Sequence, residues 1–339
     1  MNPQPVKTGL LAYGMSGRLF HAPFLHAHPG FIFSAVTERS QKKVFQVYSD
    51  VKSYDTADEL INDPDLELII INTPNYTHFE YAKKALEGGK HVLVEKPLAT
   101  SVEEAKELFN LGRNQQRYVM AYQNRRWDSD FQLVRNVIAS KKLGQLVEMH
   151  IRFDRYKPVI EAKAFKEEPI PGSGLVYNLG PHVLDQAISL FGRPMKCLKS
   201  TGAHRTGTKV DDYGFFHLKY ADQLQVYVHV SLLCARPLPA YVIHGKMGSF
   251  IKDRTDIQEK QLDQGLSIGD EAYGKDTSSG TLTLVDASGQ YTTETIPSPR
   301  GNYNHLFEAV YQQVRNHHPY PIANEDILCQ LEMLEQNDV

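Results

Sequence analysis

Lys96 stands in Glu95-Lys96-Pro97, directly after the apolar run His91-Val92-Leu93-Val94. Open α/β sheets bind ligands beyond the carboxyl ends of their strands, so this ammonium group would leave the sheet on the ligand side. Pro97 fixes its own φ and biases the residue before it toward an extended conformation, which aims the lysine. An aimed ammonium can hydrogen-bond a substrate oxygen and stabilise the negative charge that develops on it. The alternative is a solvated surface lysine.

A first strand runs into Ala12-Tyr13-Gly14-Met15-Ser16-Gly17, the dinucleotide fingerprint with alanine in place of its first glycine. Gly14 would let the backbone approach a pyrophosphate, and Gly17 would let the helix pack closely on the strand. The amides of Met15, Ser16, Gly17 and Arg18 would face the anion at the positive end of that helix. Ala12 fits if the turn keeps its φ negative, and Pro23 is expected to kink the helix or restart it. Glu38 and Arg39 end a second strand. A carboxylate there would hold the adenosine ribose hydroxyls and repel a 2′-phosphate, whereas a guanidinium would stack on adenine or pair with that phosphate. The balance favours NAD over NADP. Another strand ends in Asn72-Thr73-Pro74-Asn75-Tyr76-Thr77-His78. Thr73, Pro74 and Asn75 would line the cofactor's ribose and diphosphate, or else serve as turn and helix cap. His78 reads as structural or cofactor-adjacent, and Glu95 belongs with the cofactor set.

The second half supplies a base. Tyr177 to Gln186 puts Asn178, His182 and Asp185 within reach of one helical face. An imidazole so placed could take an alcohol's proton while its hydride leaves; a structural histidine is the alternative. Metal binding would need more ligands than this set offers, so no metal is expected. Asn124-Arg125-Arg126-Trp127-Asp128 and Phe153-Asp154-Arg155-Tyr156-Lys157-Pro158 gather polar, cationic and aromatic groups. Asn124, Arg126, Trp127, Arg155 and Tyr156 would contact a polyhydroxylated substrate, unless they form interdomain salt bridges instead.

The elements that must position these groups fall into two grammars. Val6 to Ala12, Phe31 to Thr37, Leu66 to Asn72, His91 to Glu95 and Tyr118 to Tyr122 read as strands separated by helical patterns. That alternation is the mark of βαβ units and a parallel sheet. Thr56 with Glu59, Thr77 with Glu80 and Ser101 with Glu104 have capping-box spacing, and Gly88-Gly89 supplies a left-handed stop. From Gln145 the pattern alternates with period two: Gln145 to Tyr156, Asp212 to Tyr220 and Gln223 to Leu233, the last two joined by an Ala221-Asp222 turn. Tyr241 to His244, Ser249 to Lys252, Thr281 to Val285 and Tyr291 to Ile296 continue it. Helices are expected over Leu175 to Phe191, Tyr303 to Arg315 and Asn324 to Glu335. The fold class is thus α/β plus α+β. A Rossmann dinucleotide-binding domain spans 1–122, and a domain with a large, mostly antiparallel open sheet and flanking helices spans 123–339. The last helices are free to pack back on the first domain.

Composition excludes several classes. The 339 residues are 41% hydrophobic and 23% charged, with a formal charge of −3 and no basic run. Neither nucleic acid nor an anionic membrane is therefore an expected partner. No apolar stretch reaches the ~20 residues needed to cross a bilayer. Met1 to Lys7 holds no signal-peptide core, and the three cysteines lack metal or redox spacing, which suits the cytoplasm.

Taken in order, the fingerprint, Glu95-Lys96-Pro97 and Gly180-Pro181-His182-Val183-Leu184-Asp185 resemble the Gfo/Idh/MocA family of NAD(P)-dependent sugar and cyclitol oxidoreductases. Asn124 to Phe131 and Arg155-Tyr156-Lys157-Pro158 are similar to the branch containing scyllo-inositol dehydrogenases. The resemblance implies that Lys96 and His182 are the catalytic pair, acting on a polyol or sugar bound at the interdomain cleft. It also implies a homodimer through the second sheet. Members typically carry Asp where Asn178 stands, so this chain would orient the imidazole without adding charge. Two alternatives stay open: a glycosidase that uses NAD with no net redox change, and a regulator that binds dinucleotide as a signal. The presence of both Lys96 and His182 speaks against the regulator.

Overall fold

The computed structural model describes residues 4–160 and 167–339. It divides into two compact units.

The first unit comprises Met1–Asn124, Leu262–Asp270 and Tyr303–Leu328. Its strands are β1 (Val6–Leu10), β2 (Phe31–Thr37), β3 (Lys52–Tyr54), β4 (Leu68–Ile71), β5 (His91–Glu95) and β6 (Val119–Tyr122). They form one sheet in the order β3-β2-β1-β4-β5-β6, with every pair parallel. Every residue of β4 is buried, as expected of a strand covered on both faces. The order reverses between β1 and β4, the switch point where doubly wound sheets open a crevice. β3 escapes the sequence pattern because three residues, none of them buried, carry no readable period.

The helices here are α1 (Ala22–Ala27), α2 (Ala57–Ile61), α3 (His78–Glu87) and α4 (Val102–Asn114). Thr56 and Glu59 form a complete capping box on α2. Ser101 caps α4, but the Glu104 carboxylate turns to the Thr100 amide and hydroxyl instead. Thr77 does not cap α3, contrary to expectation: its hydroxyl donates to the Pro74 carbonyl. Gly89 takes φ +73° after α3, the anticipated left-handed stop.

The second unit comprises Arg125–Gln261, Glu271–Asn302 and Cys329–Val339. It opens with α5 (Ser129–Ala139), β7 (Leu146–Asp154) and α6 (Gly174–Phe191). Then come β8 (Lys196–Gly202), β9 (Tyr213–Lys219), β10 (Gln225–Ser231), β11 (Tyr241–Gly245) and β12 (Gly248–Lys252). α7 (Ile257–Asp263), β13 (Ser279–Val285) and β14 (Tyr291–Pro297) follow, and α8 (Asn304–Asn316) and α9 (Asn324–Glu335) close the chain. The sheet runs β14-β13-β12-β11-β7-β10-β9-β8 and is antiparallel except for β7 with β10. α6 packs on β7, β9 and β10. β8 was not legible in the sequence because its side chains do not alternate between buried and exposed. α8 belongs to the first unit, where Phe307 stacks on Phe24 at 5.1 Å.

Candidate active site

In the first unit the end of β1 is built for close approach. A methyl on Gly17 would sit 2.1 Å from the Ala12 carbonyl oxygen, so only glycine lets the helix start lie against the strand end. The Asn72 side chain grips the same residue, donating to the Ala12 carbonyl at 2.8 Å and accepting its amide at 2.9 Å. Gly14 is exposed, with nothing within 4 Å of where a side chain would stand. That open backbone beside a helix start fits a dinucleotide's pyrophosphate. The amide of Arg18, expected to face the anion, instead donates to the Gly14 carbonyl at 3.0 Å. The helix passes through a π-turn over Gly17–His21, where Ala22 donates to Gly17, and restarts as α1 with Pro23 in its first turn. The wider turn absorbs the amide that proline lacks.

Glu95 braces this cradle from β5. Its carboxylate accepts Ser16 Oγ and faces His21 Nε2, each at 2.9 Å. Burial pushes the Glu95 carboxyl up, but the His21 and Ser16 bonds and the Lys96 charge more than offset that and hold it below the usual range. Lys96, the next residue, is half-buried rather than solvated, and the Lys96–Pro97 bond is cis. His78, read as structural or cofactor-adjacent, is fully buried, with Nδ1 2.8 Å from the Pro97 carbonyl and Nε2 2.9 Å from the Thr73 carbonyl. It therefore pins the turn after β4 to the turn after β5. Burial pushes its pKa down, while the two carbonyl hydrogen bonds push it up. The Thr73 hydroxyl bonds Thr77 Oγ at 2.7 Å, which is turn chemistry. Pro74 is exposed and Asn75 half-exposed beside it.

Glu38 departs most from expectation. Its side chain turns inward, accepting the amides of Lys43 at 2.9 Å and Val44 at 3.2 Å and the Ser53 hydroxyl at 3.2 Å. It caps the short turn over Lys43–Gln46 instead of presenting a carboxylate to ribose. Arg39 and Ser40 beside it are exposed.

In the second unit α6 starts without a cap from its own Ser173; Asp211 serves instead, accepting the Val176 amide at 2.6 Å. Gly174 has φ +83°, and a methyl there would meet the Asp211 carboxylate at 2.1 Å. His182 is buried at 7% exposure, and Asn178 is half-buried one turn earlier. Asp185 is committed elsewhere: Arg126 grips it bidentately through Nε at 2.8 Å and Nη2 at 2.7 Å. Arg126, expected against substrate, is thus a buried clasp from the turn over Asn124–Trp127 to α6. Asn124 is also buried, Trp127 is half-buried with its carbonyl accepting from Gln258 at 3.0 Å, and Tyr156 is 58% exposed.

The Phe153 ring lies 6.3 Å from the His182 ring, and three guanidinium carbons stand over it: Arg125 at 5.0 Å, Arg155 at 4.9 Å and Arg254 at 4.2 Å. Arg254 and Asn72 were not anticipated. Asn72 had a signal, a polar residue closing an apolar run, whereas Lys252-Asp253-Arg254 has none. Among the described residues no group of three or more His, Cys, Asp and Glu side chains is arranged to hold a metal ion.

Residues 6–123 match the oxidoreductase family with an NAD-binding Rossmann fold, and residues 131–251 match the GFO/IDH/MocA C-terminal domain. The chain belongs to the Gfo/Idh/MocA family. It is an NAD(P)-dependent oxidoreductase of the dehydrogenase type. The uncharacterized oxidoreductase YdgJ of Escherichia coli is 34% identical over 97% of this chain and 94% of its own length. The scyllo-inositol 2-dehydrogenase (NADP(+)) IolW of Bacillus subtilis is 31% identical over 97% and 92%. A crystal structure of an oxidoreductase from Bacillus cereus superposes with a TM-score of 0.89 at 33% identity, covering 97% of this chain and 95% of that one. Among the described residues no helix of this Gfo/Idh/MocA protein is long and apolar enough to cross a membrane.

Proposed function

We propose that the enzyme moves a hydride between a nicotinamide cofactor and a secondary alcohol or ketone of a sugar or cyclitol. The observation that carries this reading is the end of β5. There Glu95 braces the cofactor cradle through Ser16 and His21, and the adjoining Lys96 is held half-buried. Gly14, Met15, Ser16 and Gly17 would hold the diphosphate. When bound, the cofactor supplies the hydride acceptor or donor. Lys96 hydrogen-bonds the reacting oxygen and stabilises its alkoxide charge, and His182 takes the hydroxyl proton on oxidation and returns it on reduction. Asn178 orients the imidazole.

The inward carboxylate of Glu38 and the exposed Arg39 favour NADP at the 2′ position over the NAD preference expected from the sequence. We further propose that two copies associate through the open face of the second sheet. Cys197, Cys234 and Cys329, none of them in a disulfide among the described residues, suit a reducing cytosol.

A panel of sugars and cyclitols, scored by absorbance of the reduced cofactor, tests the activity. Lys96→Met should retain dinucleotide binding yet lose turnover by ~100-fold or more. His182→Ala should lose ~100- to 10,000-fold, on the scale of general-base removal. Near-normal turnover in both folded variants would refute the mechanism.

A further inference from the structure

The guanidinium groups around Phe153 are not equally compensated. Arg125 meets three carboxylates, Asp128 at 3.1 Å together with Asp256 and Glu259. Arg155, about one-third exposed, lies 4.0 Å from Asp256, which Arg125 already grips, and feels Glu259 from farther off; among the described residues it forms no closer ion pair. Arg254 donates Nε and Nη2 to the Arg152 carbonyl at 3.3 and 2.9 Å, while its buried Nη1 has no hydrogen-bond partner among the described residues. Asp130, the further acid facing Arg254, accepts the Thr255 amide at 3.0 Å and is buried. So two cations sit over the ring that also neighbours His182, and among the described residues neither has a carboxylate within ion-pair distance that Arg125 does not already hold.

We propose that Arg155 is a specificity residue that binds an oxyanion substituent, carboxylate or phosphate ester, on the substrate whose hydroxyl His182 deprotonates. The inference rests on the dehydrogenase reading and narrows its substrate class to acidic sugars or polyols. The planar fork of Arg155 matches two oxyanion oxygens, and the Phe153 ring beneath it restricts its rotamers before substrate arrives. Burial pushes the Arg155 pKa below that of a surface arginine, a cost that a bound anion offsets.

The test compares matched hexoses: glucose, glucuronate and glucose 6-phosphate, with the galacto and manno sets beside them. Binding is read from the intrinsic fluorescence of Trp127, the single tryptophan, in the presence of cofactor, and turnover from reduced-cofactor absorbance. At least one anion should exceed its neutral parent by ~10-fold or more in kcat/KM, chiefly through KM. Whether it is the uronate or the phosphate identifies the source of the oxyanion. Arg155→Gln should bring that ratio close to one while cofactor affinity stays unchanged, and Arg155→Lys should keep part of it. A neutral hexose used as well as its anions overturns the proposal and leaves the dehydrogenase reading intact. Absence of anion binding in every set also overturns it. An anion that binds wild type, is lost in Arg155→Gln and never reduces cofactor, while a neutral polyol does, shows an anion site apart from the substrate and overturns the proposal.

Discussion

Glu38 shows how far one side chain's role depends on what surrounds it. An acid at the end of β2 has the position for ribose recognition, but three donors from the following turn and from β3 claim its oxygens. Turning the carboxylate outward would leave the buried Val44 amide unpaired, at about 1–3 kcal/mol, so the carboxylate stays inward. Glu38→Ser should therefore lower the melting temperature and leave the ratio of NADP to NAD affinity nearly unchanged. Arg39→Ala should weaken NADP by ~10-fold and NAD little, as loss of a charged phosphate contact does. Titrating both cofactors against both variants checks this. A Glu38→Ser protein that gains NADP affinity tenfold, with Arg39→Ala silent, would restore the ribose role.

At the scale of elements, Gly14 and Gly17 do different work within one turn. Gly17 lies against the Ala12 carbonyl, so Gly17→Ala must push the helix off the strand and should lower both stability and dinucleotide affinity. Gly14 has open space, so Gly14→Ala should melt like wild type but weaken dinucleotide binding by ~10-fold, since its methyl stands where a pyrophosphate approaches. Melting curves with and without NADPH separate the two. α6 offers a pH test. Burial pushes the Asp211 carboxyl up to about 6 despite the Val176 hydrogen bond. The folded state thus holds a proton that the unfolded chain has released. The associated stability is present below the ordinary carboxylate range and is lost as pH rises through about 6. Asp211→Asn keeps an acceptor for α6 and should gain on wild type between pH 4 and 6, by at most ~3 kcal/mol. Urea titrations at both ends of that window measure it; parallel curves would show that Asp211 does not titrate there.

For the whole molecule, the second sheet's face away from α6 raises the question of assembly. Tyr227 stands there against His217 at 4.7 Å, His150 at 5.0 Å and Phe215 at 6.2 Å, all half-exposed. An aromatic cluster of this kind on an open sheet is a favoured site for burial against a second copy. Sedimentation at micromolar concentration should show a species heavier than 38.4 kDa, and Tyr227→Lys should shift it toward the monomer. A single 38.4 kDa species for wild type would remove the assembly proposal.

What the sequence determined by itself is what depends on a few neighbouring residues. β2 and β5 fall on their apolar runs, α2 begins at its Thr56–Glu59 box, and Gly17 follows β1 at the fingerprint spacing. The order Lys96 then His182, with its family resemblance, was legible for the same reason: motifs are local. Only the tertiary structure decided which partners the charged groups take. Arg126 and Asp185 are 59 positions apart, Arg315 and Glu67 are 248 apart, and Arg254 meets Phe153 from the loop after β12. No period links such residues. Burial makes the choice, because a charge removed from water must take whichever counter-charge or amide packing brings within reach. That is why the scaffold and motifs could be read along the chain, whereas the inward turn of Glu38 and the clasp on Asp185 could not.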